Sequence, residues 1–577
     1  MYLNVTTRTM VPELENFSPL MWAAIIAPLF AGCAGQVAPG GGPRDTIPPA
    51  IVRTVPDSNA VRVKPDAITL EFSKYVDRRT VEESIFISPY PGDLRYDWSG
   101  KAVTVAFSGK LRENTTYVVS VGTDVADVRE GNRMASSFAL AFSTGDSIDR
   151  GFINGRVFDE KPDGILIFAY RLSGLLPDTL DPSRVKPDYV TQTGKDGTFS
   201  LSHLTFGPYR VFAVRDEYHN FLYDRQIDQY GVAPRDFILS PGEPSVGDLW
   251  YRLSREDTTR PFTAGVKALD RNRIAVRFSE PLDSASFTRS SFTVVDTLSR
   301  QALPLRLVYL DRFQPSVAGV FTGVPLDSPR VYRLTVRGVS DLAGNLIDET
   351  APGETFEGTL TPDTVRPSIG VRDMRDSTRS VALAPVIEVR FSDPVLPFSL
   401  TRGAVLTDST KKEVPARALW TGPASFALIP RGHLPANAWF TLRVTMDSVR
   451  SLGGRTYRDS TFAFHFQTLD LRNTGSISGN VQDVRDVKGG IVLTASSINI
   501  TPPHSSTVRL ESPGPFALAE LPEGKYTISA FRDSAGSAEY VFGLPAPFRP
   551  SDRFTVFRDT IRVRARWGVE GVLVKFR

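Results

Sequence analysis

The sequence predicts an all-β chain built as a tandem array of β-sandwich domains, on three observations. The stretch Ile274-Ala275-Val276-Arg277-Phe278-Ser279-Glu280-Pro281 has counterparts at 68–74 and 387–394. In each copy apolar residues fall on alternate positions, the period of two that turns one face of a strand to a core. The chain's 577 residues exceed what one core organises, since domains run to about 100–150 residues. Its 43 prolines and 44 glycines, with few long helical patterns, favour short strands joined by turns. Lys and Arg total 67 against 64 Asp and Glu, a balance that implies no nucleic-acid partner.

At the N-terminus the apolar run 20–30 precedes the small pair Ala31-Gly32 and the sole cysteine, Cys33. An apolar core of about 7–15 residues ending in small residues is a secretory signal, and one this short does not span a bilayer as a helix. Leu29-Phe30-Ala31-Gly32-Cys33 resembles the lipobox of bacterial lipoproteins. That resemblance implies cleavage before Cys33, lipidation of its thiol, and stable attachment through two or more acyl chains. With no second cysteine, each domain must be stable by its core alone. Expected are a lipoprotein signal peptide over 1–32 and a flexible Gly- and Pro-rich tether over 33–48.

The first domain, 49–146, runs from the 68–72 strand through Tyr117-Val118-Val119-Ser120-Val121 and a turn at Glu130-Gly131-Asn132 to Phe138-Ala139-Leu140-Ala141-Phe142. The same order recurs in 255–363, with a turn at Asp341-Leu342-Ala343-Gly344-Asn345, and in 364–470, with a turn at Gly453-Gly454. Recurrence of strand, turn and strand favours sandwiches over a barrel. This pattern resembles the S-layer-type bacterial Ig-like domain, which implies a seven-stranded sandwich and carries no shared catalytic residue. A second unit spans 147–254 and again 471–577. There Gly151-Phe152-Ile153-Asn154-Gly155 matches Gly475-Ser476-Ile477-Ser478-Gly479, and Gly207-Pro208-Tyr209 matches Gly524-Lys525-Tyr526. These copies resemble the carboxypeptidase regulatory-like, prealbumin-like sandwich, a non-catalytic module.

No catalytic residue, metal site or cofactor is assigned. The five histidines, His203, His219, His433, His465 and His504, show no metal-ligand spacing, and no Gly-x-Ser-x-Gly elbow is present. Ser73, Ser279 and Ser392 recur in equivalent places. A nucleophile is needed once, so a thrice-repeated serine is expected to accept from backbone N–H groups near a turn. The candidate ligand surface is Asp216, Tyr218, Asn220, Tyr223 and Asp224. Oxygens at spacing two suggest calcium, but Tyr218, Leu222 and Ile227 stand where a ligand, a glycine and a bidentate Glu belong. The rings of Tyr218, Phe221, Tyr223 and Tyr230 suggest glycan stacking. Near the C-terminus Arg562, Arg564 and Arg566 alternate with Ile561, Val563, Ala565 and Trp567, which predicts one strand with a basic face.

The reading that follows is a non-enzymatic, lipid-anchored protein of the cell envelope, at the outer membrane of a Gram-negative bacterium. It acts as a structural scaffold, spacer or adhesion-type binder, with envelope glycan or another envelope protein as partner. The alternative is a glycan-binding component of a polysaccharide-uptake system. Short polar joints at 147–149, 256–260, 362–366 and 470–473 predict an end-to-end rod of roughly 150–200 Å.

Overall fold

The computed structural model describes residues 44–173, 179–364, 366–395, 403–447, 449–457, 459–485, 488–500 and 503–576. The leader, Cys33 and most of the tether lie outside the described residues.

The regular structure of the described residues is nearly all β, folded as five two-sheet sandwiches. In the first, Ile51–Val55, Ala67–Phe72, Ala102–Phe107 and Leu94–Ser99 form one sheet, and Ile85–Ser88, Thr116–Val121 and Phe138–Ser143 the other. The third repeats this order, with Thr263–Asp270, Arg273–Phe278, Gln314–Thr322 and Leu305–Asp311 facing Phe292–Asp296, Val331–Val336 and Glu354–Glu357. The fourth does so too, Ile387–Phe391 pairing with Ser425–Pro430, and Trp439–Thr445 with Thr461–Thr468. Alternation places the repeated strand: Ile68, Leu70, Phe72, Ile274, Val276, Phe278, Ile387, Val389 and Phe391 are each at most 2% exposed.

The recurrent serines tie the lead-in segment to the end of the repeated strand. Ser73, Ser279 and Ser392 accept through Oγ from the N–H of Ala50, Phe262 and Ser368, at 3.0, 3.0 and 2.9 Å. The acceptor role is the expected one, but the donor lies on the lead-in segment, 23, 17 and 24 residues back. The turn glycines Gly131, Gly344 and Gly454 have φ of 71°, 90° and 82°, a region open to glycine at little cost.

The second and fifth sandwiches share another plan, in which the first strand pairs in parallel with the last: Gly151–Phe158 with Ser245–Arg252, and Thr474–Gln482 with Gly568–Lys575. The second glycine of each matched motif lies at that pairing. A Cβ on Gly155 would come within 2.0 Å of the Leu249 carbonyl oxygen, and one on Gly479 within 1.8 Å of that of Val572. Tyr209 and Tyr526 donate to the carbonyls of Thr205 and Pro522, four residues back.

Two expectations are corrected. The run 561–567 is not one strand: Ile561–Val563 forms strand, Arg566 has φ +63°, and Trp567 is 71% exposed. Nor is the chain a rod of independent units. Thr123 Oγ1 of the first sandwich donates to the Thr193 carbonyl of the second at 3.1 Å, and Gln192 Nε2 donates to Asp124 at 2.6 Å. The third and fourth are tied by Arg390 to Asp311 at 2.6 Å, Arg312 to Glu388 at 3.3 Å, and Arg273 to Asp393. The fifth returns to the second, and this contact closes a loop of four sandwiches.

Candidate functional site

The joint between the second and fifth sandwiches is built on the outer face of one sheet. Strands Leu166–Arg171, Gly207–Arg215 and Gln229–Val232 lie side by side, and both of their faces are buried. One face fills the sandwich core with Ile167, Ala169, Val211 and Ala213. The other carries Phe168, Tyr170, Phe212 and Tyr230, against which Leu544 and Phe548 of the fifth sandwich pack. A strand buried on both sides loses the simple apolar–polar alternation.

Polar groups fix the register of this contact. Ser551 Oγ donates to the Val232 carbonyl at 2.7 Å and Tyr230 Oη to that of Gly543 at 3.0 Å, while Arg225 donates to the Ala546 carbonyl. Arg210, buried, is held in a fork by Asp236 at 2.8 and 2.7 Å. Its guanidinium carbon lies 3.5 Å from the Phe548 ring centroid, so the charge is compensated on one side and stacked on the other. Arg252 lies 4.4 Å over Phe554, whose ring also meets Phe158 at 5.5 Å and Trp250 at 6.0 Å.

The five residues of the candidate ligand surface fall around this joint and do not form one open face. Asp216 is buried and Tyr223 is 1% exposed, the Tyr223 hydroxyl donating to Glu256 at 3.2 Å. Burial pushes that phenol well above its usual range, helped by the Glu256 charge. Asn220 and Asp224 spend side-chain oxygens on the N–H groups of Leu222 and Gln226, at 2.7 and 2.9 Å. Tyr218 alone of the five presents a ring to solvent, 59% exposed. Tyr230 and Phe221, read as stacking rings, pack instead on the joint and against Phe86 of the first sandwich. Asp216 Oδ2 accepts from Phe221 N at 2.7 Å, whereas its Oδ1 is buried without a hydrogen-bond partner. Burial pushes the Asp228 carboxyl up, and the charges of Asp216 and Asp224 add to it, although it accepts from the N–H groups of Asp224 and Glu217.

His465 is exposed, with Nδ1 3.0 Å from Asp376. Among the described residues, one group of three or more His, Cys, Asp or Glu side chains is close enough to share an ion: Asp257, Glu280 and Asp341. Burial raises the Glu280 carboxyl, and the charges of Asp257 and Asp341 raise it further. The sequence reading passed over these three because they are far apart in the chain; the signal was Asp-Thr-x-x-Pro, repeated at Asp45, Asp257 and Asp363.

The strand order of the first and fourth sandwiches agrees with a known family. Residues 45–144 and 363–468 match the bacterial Ig-like domain. The third sandwich repeats the strand order of these two Ig-like domains. A comparison with curated proteins gives no match. Among solved structures, domains 1–6 of the surface layer protein SbsC are 10% identical over 85% of this chain and 66% of that one, with a TM-score of 0.17. The N-terminal part of the bacterial S-layer protein SbsC is 17% identical over 37% of this chain and 45% of that one, TM-score 0.17. The chain thus spans between about half and two thirds of these S-layer chains. BcpA, the major pilin subunit of Bacillus cereus, is 10% identical over 74% of this chain and 100% of that one, TM-score 0.14. Likeness at this level carries no argument about function.

Proposed function

We propose that the protein is a non-enzymatic scaffold of the bacterial cell envelope, anchored by lipid on Cys33, that holds a closed frame of sandwiches for another envelope protein to bind. The observation that carries this reading is the joint between the second and fifth sandwiches. Its buried Arg210, Tyr230 and Phe554, with the partly buried Phe548, act in holding domains together, as a frame requires. The match of two segments to the bacterial Ig-like domain and the lipobox-like Leu29–Cys33 stretch support the bacterial envelope as its place. A protein partner is preferred to glycan because Tyr223 and Tyr230, which a stacking surface needs, are buried. The frame replaces the spacer, since a chain closed on itself does not reach.

The test is detergent partitioning of the full-length protein made in a lipoprotein-competent Gram-negative host. Wild type is expected in the detergent phase and Cys33→Ser in the aqueous phase; equal partitioning of the two would remove the anchor. Hydrolysis of peptidoglycan or polysaccharide by the protein, lost on one point substitution, would refute the non-enzymatic reading.

A further inference from the structure

The first sandwich carries an exposed apolar cluster where the chain arrives from Cys33. Ile47, Val52, Tyr75 and Val128 are 68%, 61%, 62% and 66% exposed. Backbone geometry gathers them. The Val128 N–H donates to the Tyr75 carbonyl at 3.1 Å, and Lys74, next to Tyr75, donates to the Ile47 carbonyl. Val52 is left unpaired where the register between 51–55 and 67–72 slips, beside the Ile51–Phe72 pair. Cations border the cluster. Arg44, Lys101 and Arg129 are exposed, with the Lys101 ammonium 5.7 Å from the Tyr75 ring centroid. Asp45 and Asp127 are spent on Lys74, and Glu130 on Arg44; Lys101 and Arg129 pair with no carboxylate among the described residues. After Asp77, the helix Arg78–Ser84 opens with two more exposed cations, Arg78 and Arg79.

The other Ig-like repeats share this end of the fold without its chemistry. The bridge between Val76 and Asp127 recurs as Leu282 with Asp341 and as Val395 with Ser451, which aligns the three copies residue by residue. In the third sandwich Glu256, Thr259, Glu280, Pro281 and Ala343 stand where the first has Arg44, Ile47, Lys74, Tyr75 and Arg129. Leu342, at the place of Val128, is exposed there among carboxylates instead of cations. In the fourth, Asp393, Pro394 and Gly453 replace Lys74, Tyr75 and Arg129. Apolar and basic groups are thus combined in the repeat that follows Cys33.

We propose that this end of the first sandwich seats on the surface of a bilayer bearing anionic headgroups, through Ile47, Val52, Tyr75 and Val128 with Arg44, Lys101 and Arg129 around them. Contiguous exposed apolar residues rimmed by polar ones mark an interaction surface. Interfacial binding combines buried apolar area with attraction of Lys and Arg to anionic lipid, and a tyrosine ring suits the headgroup level. The choice of a bilayer over a protein rests on the lipid at Cys33. Residues 34–43 separate Cys33 from Arg44, and a chain of that length spans at most about 40 Å however it is folded. An anchored molecule therefore holds the patch at high effective concentration beside the membrane, so a surface of weak intrinsic affinity suffices. Seating would fix the frame at its first sandwich and leave the third and fourth free to bind.

The experiment uses the chain from residue 33 on with Cys33→Ser, which holds every described residue, lacks the apolar leader, and contains no cysteine. Val128→Cys then gives a single thiol for an environment-sensitive NBD label, and Leu342→Cys the matching label on the third sandwich. With vesicles of equimolar POPC and POPG at low salt, emission from position 128 should rise at least twofold and shift to the blue, while position 342 stays unchanged. High salt should reverse the rise, since it screens exposed charges. Lys101→Glu combined with Arg129→Glu should cut the response at least fivefold without changing the thermal melt, and Ile47→Ser with Tyr75→Ser should do the same. No response at position 128 at any lipid concentration reached would overturn the proposal, and so would equal responses at 128 and 342, which would mean general adsorption. Because this chain carries no lipid, the result is independent of the detergent partitioning that tests the anchor.

Discussion

Asp483→Ala is expected to destabilise the fifth sandwich by about 3–5 kcal/mol, because it removes the carboxylate that pairs with two buried guanidinium groups. Asp483 accepts from Arg532 Nε at 3.0 Å and from Arg553 Nη1 at 2.6 Å, and the three side chains are 0%, 5% and 8% exposed. Neither arginine can shed its charge. The control is Arg472→Ala, whose ion pair with Asp470 at 2.7 Å has the arginine 65% exposed and is expected to matter by less than about 1 kcal/mol. Hydrogen exchange of peptides from 474–482 and 524–533 reads the fifth sandwich separately from the rest. Acid should shrink the difference. Burial alone would raise the Asp483 carboxyl, but the Arg485 N–H and the Arg553 and Arg532 side chains outweigh it, and the net shift is downward. A carboxylate lowered by folding stabilises above its unfolded value of about 3.9 and loses that contribution as pH falls through its folded value. The gap between wild type and Asp483→Ala should therefore close below about pH 4. An unchanged gap there would assign the effect to packing rather than charge.

Phe278→Ala should cost the third sandwich about 3–5 kcal/mol, the range for removing a buried aromatic side chain. Phe278 is 2% exposed, packs edge-on to Phe292 with ring centroids 6.4 Å apart, and belongs to a core with Ile274, Val276 and Leu334. Its neighbour Arg277 points to solvent, so Arg277→Ala should stay within roughly 0.5 kcal/mol. Chemical unfolding followed by exchange in peptides from 263–278 measures both. Equal losses at the two positions would contradict the half-buried register.

The repeated strand was legible in the sequence because a sheet with one face on a core imposes a period of two, and Ile274, Val276 and Phe278 carry it without interruption. Turn positions such as Gly344 were legible because a positive φ restricts residue choice. Long-range packing was not. Tyr230, Phe548 and Phe554 are apolar-bodied side chains in short strands and loops, and nothing local says whether such a ring meets its own core or one about 300 residues away. Tyr223 and Tyr230 therefore read as exposed stacking rings, although their hydroxyls bond within and across the joint. The linkers misled in the same way. Their polarity is real, but docking is carried by the sheet face around Phe212 and by charged pairs such as Arg390 with Asp311, none of which lies in a linker.

Closure of the chain by the second and fifth sandwiches is the central claim, and small-angle scattering of the full-length Cys33→Ser protein tests it most directly. Five domains end to end, roughly 150–200 Å long, would have a radius of gyration of about 45–60 Å, against about 25 Å for a single compact body of this length. The closed frame predicts a value below about 35 Å, rising when Arg210→Glu and Ser551→Arg are combined to break the joint. A wild-type value of about 45 Å or more, unchanged in the double variant, would contradict it.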